Sequence, residues 1–494
     1  MRRAKKFVIN AAILTATALL VRIVSVSFGV YIANRIGAEG VGVFQLITSV
    51  YLFAITLATS GIHLTTTRLV TEELAQNRPA TAQKALHKCL VYSLFFSCCA
   101  GVLLFISAPR ITCVWLHNKI SARPFYVLSF SLPPLAVSCV FSGYFTALRN
   151  ATKNASSQIL KQCIKVLVTV LLLTQTLQNG LDAACLALVL GDVAAEFLTF
   201  LYLALLYLFS RRRSPLRAQN RPGLTRKMFG ICLPIAFSSY VRSALVTLKQ
   251  VMIPDALEKS GATCEAALSQ YGLIGGMVMP VLMFPSVFLS AVSLLLIPEI
   301  SEKYVQQKKE QIQNILSRIF KITLLFSVYI SGLLFAFADP LSLLLYQNSD
   351  AALYIRLLSP LIILMYFDEI VDAILKGLNQ QVRVVGINIL DTLVGIFMIY
   401  TFIPHCGILG YVAVIIVTET LNAALSIRRL CRVTQFRIDF ISWVLAPGLC
   451  IAVSVFTVRL LPALLLPLKF LLSLFLYLAL LWVSGTISKK DFVL

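Results

Sequence analysis

The chain has 494 residues, of which 59% are hydrophobic and only 13% are charged, and its formal net charge is +22. A water-soluble chain of this length could not hide so much apolar surface. Many apolar runs reach the roughly 20 residues that are needed to cross a membrane at about 1.5 Å per residue. The composition therefore excludes a soluble globular protein and indicates an all-α, polytopic membrane protein.

Apolar runs between charged or turn-forming breaks predict about fourteen membrane spans. The basic start MRRAKK precedes an apolar run that is too long for a cleavable signal peptide, so we assign it to the first span. The predicted spans are 7–33, 42–69, 86–109, 124–148, 157–176, 181–209, 228–253, 272–300, 314–338, 351–378, 382–403, 408–427, 440–460 and 465–486.

An even number of spans places both termini on one side, and the positive charges indicate which side this is. With the termini in the cytoplasm, the outer loops and the outer ends of the adjoining spans hold only seven of the 43 Lys and Arg residues, and the cytoplasmic segments hold several times as many. This is the positive-inside pattern. The basic excess therefore reflects topology and attraction to lipid headgroups, and we expect no nucleic-acid partner.

The polar segment 211–227, RRRSPLRAQNRPGLTRK, divides the spans into two sets of six. We predict an N-lobe at 1–210, a basic cytoplasmic linker at 211–227, a C-lobe at 228–430, and two further spans with a cytoplasmic tail at 431–494. A sparse internal repeat supports two lobes of the same orientation. A shift of 230 aligns Gly42 with Gly272 and Glu72 with Glu302, and a shift of 227 aligns Arg149 with Lys376, Gly180 with Gly407, and Asp192 with Glu419.

Basic residues inside the predicted spans are candidate ligands for an anionic substrate, because a charge in mid-membrane costs about 2.5–3.5 kcal/mol or more. Arg22 lies near the middle of span 1 and Arg242 near the middle of span 7, with Lys249 two turns further on. Arg68 lies near the cytoplasmic end of span 2, where pairing with Glu72 one turn later explains it at least as well. For the others the alternative is also an ion pair within the membrane.

Acidic residues are concentrated in the later spans. Asp368 and Asp372 share one face of span 10, while Asn388 and Asp391 share a face of span 11, and Glu419 lies on span 12. Carboxylate and amide oxygens suit a hard cation or a proton relay, so this set is a candidate site for coupling to Na⁺ or H⁺. Pairing of the intramembrane acids with bases such as Lys165, Lys321 or Arg356 is the alternative, and the membrane potential is a further energy source.

Two prolines in span 8, Pro280 and Pro285, are candidate hinges, since proline frees a backbone carbonyl and bends a helix. A static kink explains them equally well. The sequence has no phosphate-binding loop, no HExxH and no GxSxG motif. We therefore expect neither an enzyme nor an ATP-driven pump, and no bound cofactor or metal.

Two motifs resemble a known family. Residues 33–44, ANRIGAEGVGVF, nearly fit ARxxGxxGxGxF, and residues 271–302 resemble the eighth span of the stage V sporulation protein B-like polysaccharide flippases of the MOP exporter superfamily. The resemblance covers essentially the whole chain and implies a flippase in the bacterial cell membrane that moves polyprenyl-diphosphate-linked sugars, such as a peptidoglycan precursor, by alternating access. It also implies a role in spore cortex synthesis, and we expect a monomer that works beside cell-wall synthesis enzymes.

The resemblance places Arg22 at the first cavity arginine of the related lipid II flippase, from its 13-residue spacing to Arg35. The second and third such positions hold Phe28 and Ile55 instead, and the acid expected on span 7 for sodium coupling is missing, the nearest being Asp255. Two other functions stay open. One is a MATE-type exporter of cationic drugs driven by Na⁺ or H⁺, which the mid-membrane arginines disfavour, and the other is a scaffold that transports nothing.

Overall fold

The computed structural model describes residues 2–59, 61–115, 120–210, 223–435, 441–461 and 466–486, and the described residues contain helices and no strand. This confirms the all-α class. The side chains of residues 2–12, 177, 294–295 and 441–442 are outside the description, as is nearly all of the predicted basic linker.

In the first half of the chain, the described residues form eight α-helices and one short 3₁₀ helix at Leu177–Asn179. The α-helices are α1 Arg2–Thr59, α2 Ile62–Ala75, α3 Pro79–Trp115, α4 Arg123–Ala147, α5 Ala151–Thr176, α6 Leu181–Ser210, α7 Leu224–Lys259 and α8 Cys264–Tyr271.

The second half has shorter pieces at its start and long helices later. It contains a π-helix at Gly272–Val278, α9 Met279–Met283, a 3₁₀ helix at Phe284–Ser286, α10 Val287–Val305, α11 Lys309–Ala336, α12 Ala338–Tyr346, α13 Asp350–Leu358, a 3₁₀ helix at Ser359–Leu361, α14 Ile362–Gly377, α15 Gln381–Thr434, a π-helix at Ile441–Leu445, α16 Ala446–Arg459 and α17 Leu466–Val483.

Ten helices among the described residues are long and apolar enough to cross a membrane. This number is smaller than the predicted fourteen because helices and spans do not correspond one to one. Helical segments Ile13–Ala75 and Gln381–Thr434 are 63 and 54 residues long, far beyond the roughly 20 residues of one crossing. Each contains a glycine with non-helical backbone angles, Gly37 and Gly407 respectively. The count of fourteen stays a prediction.

Contacts between Cα atoms divide the chain into two compact units, residues 1–255 with 263–272, and residues 256–262 with 273–494. The predicted lobe boundary lies earlier, at 228. Most of α7 belongs to the first unit because its polar side chains contact the second part of α1: the Thr56 and Ser243 hydroxyls are 3.1 Å apart, and Thr247 donates a 3.2 Å hydrogen bond to the carbonyl of Ser49.

In the first unit, α1 crosses close to the end of α8. The crossing is at Gly42 and Gly272, which the internal repeat aligns with each other. A Cβ added to Gly42 would lie 2.1 Å from the carbonyl oxygen of Leu268, and one added to Gly272 would lie 2.0 Å from the carbonyl oxygen of Ala38. Only glycine permits backbones to approach this closely. The two glycines therefore define where these helices cross.

The backbone also shows the internal repeat. Asn77 and Gln307 both have a positive φ and are 230 residues apart, and the same holds for Arg149 and Asn379. Positive φ is uncommon outside glycine, so matching positions are informative. Gly180 and Gly407 match at 227. The sequence alignment of Arg149 with Lys376 was therefore wrong by three residues, because the shift changes from 230 to 227 later, within the fifth and eleventh spans.

The two hinge candidates lie in a stretch of irregular helix. Pro280 is in the short helix α9, and Pro285 is in the 3₁₀ turn that follows it, directly after the π-helix at Gly272–Val278. Helix distortions of this kind are typical where a proline removes a backbone hydrogen bond. The geometry supplies the irregularity that a hinge needs, and the hinge role stays a prediction.

Candidate functional site: charged residues in the membrane helices

Arg22 lies on an exposed face of α1 and has no ion pair or hydrogen bond among the described residues. The residues that share this face at i−4, i+3 and i+7 are small: Ala18, Ser25 and Gly29. The large exposed residues Leu20 and Ile23 lie to the other side. A guanidinium on a small-residue face has room for a ligand around it, whereas the leucine side is suited to lipid.

The position where the related flippase has its second cavity arginine is a packing position here. Phe28 is 6% exposed and packs with Ile32 and Leu188 of α6, with valines of α5 alongside. A charge at this position would be buried between α1, α5 and α6. Phenylalanine in place of arginine therefore removes a cation. It also means that the face of α1 that carries Phe28 is packed and not available to a ligand.

Arg242 belongs to an exposed polar stripe on α7. Ser238 and Ser239 lie at i−4 and i−3 of Arg242, and Lys249 follows seven residues later. Arg242 is exposed and Lys249 half-buried, and neither has a partner among the described residues. This stripe is about 100° from the face of α7 that packs on α1. Exposed charged and hydroxyl groups in a membrane helix point to a water-filled cavity rather than to lipid.

Arg68 lies on α2 and forms an ion pair with a residue one helical turn later. Its Nε donates a 3.0 Å hydrogen bond to Glu72, so the predicted i,i+4 pairing is confirmed. Lys227 at the start of α7 binds the second oxygen of the same carboxylate. Sequence alone missed Lys227, which is 155 residues away. A role for Arg68 in capturing substrate stays a prediction.

The acids on α6 are neutralised by lysines on α5. Lys165 lies 2.6 Å from Asp192, and Lys161 lies 2.5 Å from Glu196, whose side chain is only 8% exposed. The alternative of intramembrane pairing is thereby confirmed for Asp192. A carboxylate in an apolar region needs a partner, which the adjacent helix supplies one turn apart on the same face.

Four of the five predicted coupling residues lie near one another in the second unit, on α14 and the two parts of α15. Asp368 interacts electrostatically with Asp372, Asp391 and Glu419. It is 9% exposed, and one carboxylate oxygen accepts a 3.0 Å hydrogen bond from the Asn422 amide. The other oxygen has no hydrogen-bond partner among the described residues. Asn388 is half-buried one turn before Asp391, and no contact joins it to Asp368 among the described interactions.

Two further residues complete this cluster. Asn422 and Ser426 follow Glu419 at i+3 and i+7 and therefore share its helical face. Ser426 is 1% exposed, and its hydroxyl lies near Asp368. Neither this hydroxyl nor the buried amide oxygen of Asn422 makes a regular hydrogen bond within the described part of the chain. The sequence shows the helical spacing of Asn422 and Ser426 from Glu419, and this spacing could have indicated that they belong to the cluster. Small polar side chains occur on many membrane helices, however, and this made the signal weak.

The described residues contain no group of three His, Cys, Asp or Glu side chains that is arranged to hold a metal ion. In the acidic cluster the arrangement is of another kind: the Asp368 carboxylate accepts a hydrogen bond from the amide nitrogen of Asn422, and the hydroxyl oxygen of Ser426 lies nearby. Such a set of oxygens suits a proton or a weakly held monovalent cation.

This chain is similar to known protein families and to curated proteins. Residues 7–304 match the model of the polysaccharide biosynthesis protein family, and residues 265–401 match the MatE model. The stage V sporulation protein B of Bacillus subtilis (strain 168) is 26% identical over 82% of this chain and 79% of its own length. The sporulation protein YkvU of the same organism is 21% identical over 80% of this chain and 88% of its own length.

Solved structures share the fold at low sequence identity. An inward-facing multidrug resistance MATE family transporter of the MOP superfamily superposes with a TM-score of 0.65 at 16% identity, covering 86% of this chain and 98% of that one. A MOP superfamily transporter from Pyrococcus furiosus, whose binding pocket is described as reversed in polarity, gives 0.60 at 14% identity, covering 86% and 95%.

The family model spans more than half of the chain, the curated relatives align over most of it, and the helices follow the MOP arrangement. The chain therefore belongs to the polysaccharide biosynthesis protein family and is a multi-pass membrane protein with the fold of the MOP superfamily.

Proposed function

We propose that this chain is a flippase that moves a polyprenyl-diphosphate-linked sugar, and specifically a peptidoglycan precursor, from the inner to the outer leaflet. The observation that carries the proposal is Arg22, an exposed guanidinium without a described partner on a small-residue face of a membrane helix. The description of the family, polysaccharide biosynthesis protein, supports the substrate class. The names of the two curated relatives support a role in sporulation, which we extend to spore cortex synthesis.

The chemistry of the substrate fits these side chains. A diphosphate presents several anionic oxygens, and arginine binds such oxygens in pairs through its planar fork. Arg22 and Arg242 supply two such forks, and Lys249 adds a third cation on the α7 stripe. In the proposed mechanism these groups hold the diphosphate while the lobes alternate between inward-open and outward-open states, and the irregular helix at Pro280 and Pro285 bends during the change.

The test of this proposal is transport in proteoliposomes. Purified protein is reconstituted with fluorescent lipid II, and the fraction in each leaflet is followed by quenching. The wild type should redistribute the label. Arg22→Ala should slow it about tenfold or more, since a hydrogen bond to a charged group contributes roughly 1.5–3 kcal/mol. Arg22→Lys should retain part of the rate, because it keeps the charge and loses the fork.

Arg110→Ala is the matched control, because Arg110 is also exposed and without a described partner but lies near the end of α3. Its rate should equal that of the wild type. No redistribution by the wild type would contradict the proposal. A full rate in Arg22→Ala would remove the arginine from the mechanism, and unimpaired growth of an Arg22→Ala strain without measurable transport would favour the scaffold function.

We further propose that Asp368 couples transport to a Na⁺ or H⁺ gradient. It combines burial with a free carboxylate oxygen beside the amide and hydroxyl groups of Asn422 and Ser426. An imposed gradient of one of these ions should accelerate the wild type and should have no effect on Asp368→Asn, which keeps the shape and removes the charge. Asp350→Asn, at the exposed start of α13, should respond as the wild type does. An unchanged gradient response in Asp368→Asn would exclude this residue.

A cation exporter is the second candidate function. The observation that favours it is the MatE match at residues 265–401, which includes Asp368 and Asp391. An acidic cavity suits cationic drugs, whereas unpaired arginines repel them. Expression of the gene in a strain lacking its own exporters should leave ethidium efflux unchanged if the flippase proposal is correct, and faster efflux would favour the exporter.

A further inference from the structure

Four arginines line one pocket in the second unit, at the point where the two ends of α15 meet. This basic pocket, with a volume of about 400 Å³, is formed by Arg383 from the first turn of the helix and Arg428, Arg429 and Arg432 from its last two turns. The described residues that line it include no acidic one. Its remaining wall is largely apolar and includes Leu390 and Leu425.

Three of these four guanidinium groups have no partner in the part of the chain that the structure describes. Arg429 donates two hydrogen bonds, at 2.6 and 3.2 Å, to the side-chain oxygen of Gln380. The other three, Arg383, Arg428 and Arg432, make no described ion pair or hydrogen bond, and all three are exposed. Neighbouring like charges repel one another. The four positive charges of the pocket are therefore unfavourable without a bound anion.

Helix-end electrostatics explain only part of this arrangement. Cations in the last turns of a helix are favoured by its dipole, which accounts for Arg428, Arg429 and Arg432. Arg383 lies in the first turn of α15, where the dipole disfavours a positive charge. An anion in the pocket would be favourable both for that helix start and for all four guanidinium groups.

The first repeat shows that the fold does not require such a pocket. At the turn before span 5 the shift is 230, so Arg383 corresponds to Lys153, which binds Ser210 and lies over the ring of Phe145. In span 6 the shift is 227, so the three later arginines correspond to Leu201, Tyr202 and Leu205. Tyr202 is hydrogen-bonded to Ser156 at 2.9 Å. The same place in the first unit is therefore closed by internal contacts.

We infer that the basic pocket binds the headgroup of an anionic phospholipid, with cardiolipin, whose headgroup carries two phosphates joined by glycerol, as the best fit to four cations. The guanidinium groups would bind the phosphates, and the acyl chains would lie on the apolar wall at Leu390, which is 47% exposed. This wall distinguishes a lipid from a soluble anion, because a soluble anion gains nothing from it. Basic pockets between membrane helices on the cytoplasmic side are typical sites for such headgroups.

Lipid titration of the full-length protein tests this inference. The protein is placed in phosphatidylcholine nanodiscs with increasing cardiolipin, and binding is followed by native mass spectrometry and by the thermal unfolding midpoint. Cardiolipin should bind and raise the midpoint of the wild type. The triple variant Arg383→Gln/Arg428→Gln/Arg432→Gln should bind at least tenfold more weakly, and Arg383→Gln alone should show a smaller loss. The single variant keeps the test valid if the triple variant is poorly folded.

The matched control is Lys303→Gln/Lys308→Gln/Lys309→Gln, which removes the same charge from the turn between α10 and α11. It should bind cardiolipin as the wild type does. Equal weakening by this control would attribute binding to general surface charge and overturn the inference. Equal stabilisation by inorganic phosphate would identify a soluble-anion site instead, and unaltered binding in the arginine variants would place the lipid elsewhere.

Discussion

Lys161 and Glu196 form an ion pair between α5 and α6, whereas Arg22 and Arg242 lie on exposed helix faces without a described partner. All four are charged residues within apolar helices, so composition treats them alike. The difference is one of environment, since a buried charge must be neutralised by the protein and an exposed one can be neutralised by a ligand. The unpaired arginines are therefore the better candidates for substrate contact.

The ion pair between Lys161 and Glu196 gives a prediction for stability. Lys161→Met should lower the free energy of unfolding by about 1–3 kcal/mol, because it leaves the buried Glu196 carboxylate without its partner. The loss is smaller than for a fully buried pair, since the Lys161 side chain is 42% exposed. Lys161→Met combined with Glu196→Gln should recover most of this loss. Thermal unfolding in detergent checks both. The Lys165→Met variant is the control, since Asp192 is more exposed and its loss should be smaller. A loss of equal size in the single and double variants would contradict the charge argument.

At the scale of helical elements, glycine decides how α1 meets α8. The Gly42 and Gly272 positions each bring a backbone carbonyl to about 2 Å from the place of a Cβ atom. The clash of an added Cβ atom cannot be relieved by rotating a side chain, because the obstructing atom belongs to the backbone. The two positions are 230 residues apart, so the close approach involves the same place in both repeats.

Alanine at either position should therefore force the helices apart. Gly42→Ala and Gly272→Ala should each lower stability by about 1–3 kcal/mol, the usual cost of overpacking, measured as a reduced thermal unfolding midpoint. Gly29→Ala on the same helix α1 is the control, since nothing lies within 4 Å of its added Cβ. Its midpoint should be unchanged or slightly higher. Wild-type midpoints in both crossing variants would show that the helices do not pack this closely.

At the scale of the whole molecule, the positive-inside pattern predicts the orientation. With the termini in the cytoplasm, a green fluorescent protein fused after residue 210 or at the C-terminus should fluoresce. Alkaline phosphatase fused after residue 262, in the predicted outer loop between spans 7 and 8, should be active. The physical reason is that short basic loops stay on the cytoplasmic side. An active phosphatase after residue 210 would contradict both the orientation and the fourteen-span count.

Sequence alone was sufficient to assign the class, because apolar runs of this length have no alternative to helices in lipid. It also determined the family, from residues 33–44 and 271–302, and it correctly paired Arg68 with Glu72, since such contacts are local. What it missed were contacts over long chain distances, such as Lys227 with Glu72 and Asn422 with Asp368. Periodicity gives the face of one helix and does not say which other helix packs against that face.

The three-dimensional structure is needed to see which charges are neutralised. It pairs the α6 acids with lysines, gathers Asp368, Asp372, Asp391 and Glu419, and leaves Arg22 and Arg242 exposed. It also placed four arginines, up to 49 residues apart, around one pocket. The physical reason is the same in each case. The energy of a charge in a membrane protein depends on what lies within a few ångströms of it, and only the packing of helices distant in sequence determines those neighbours.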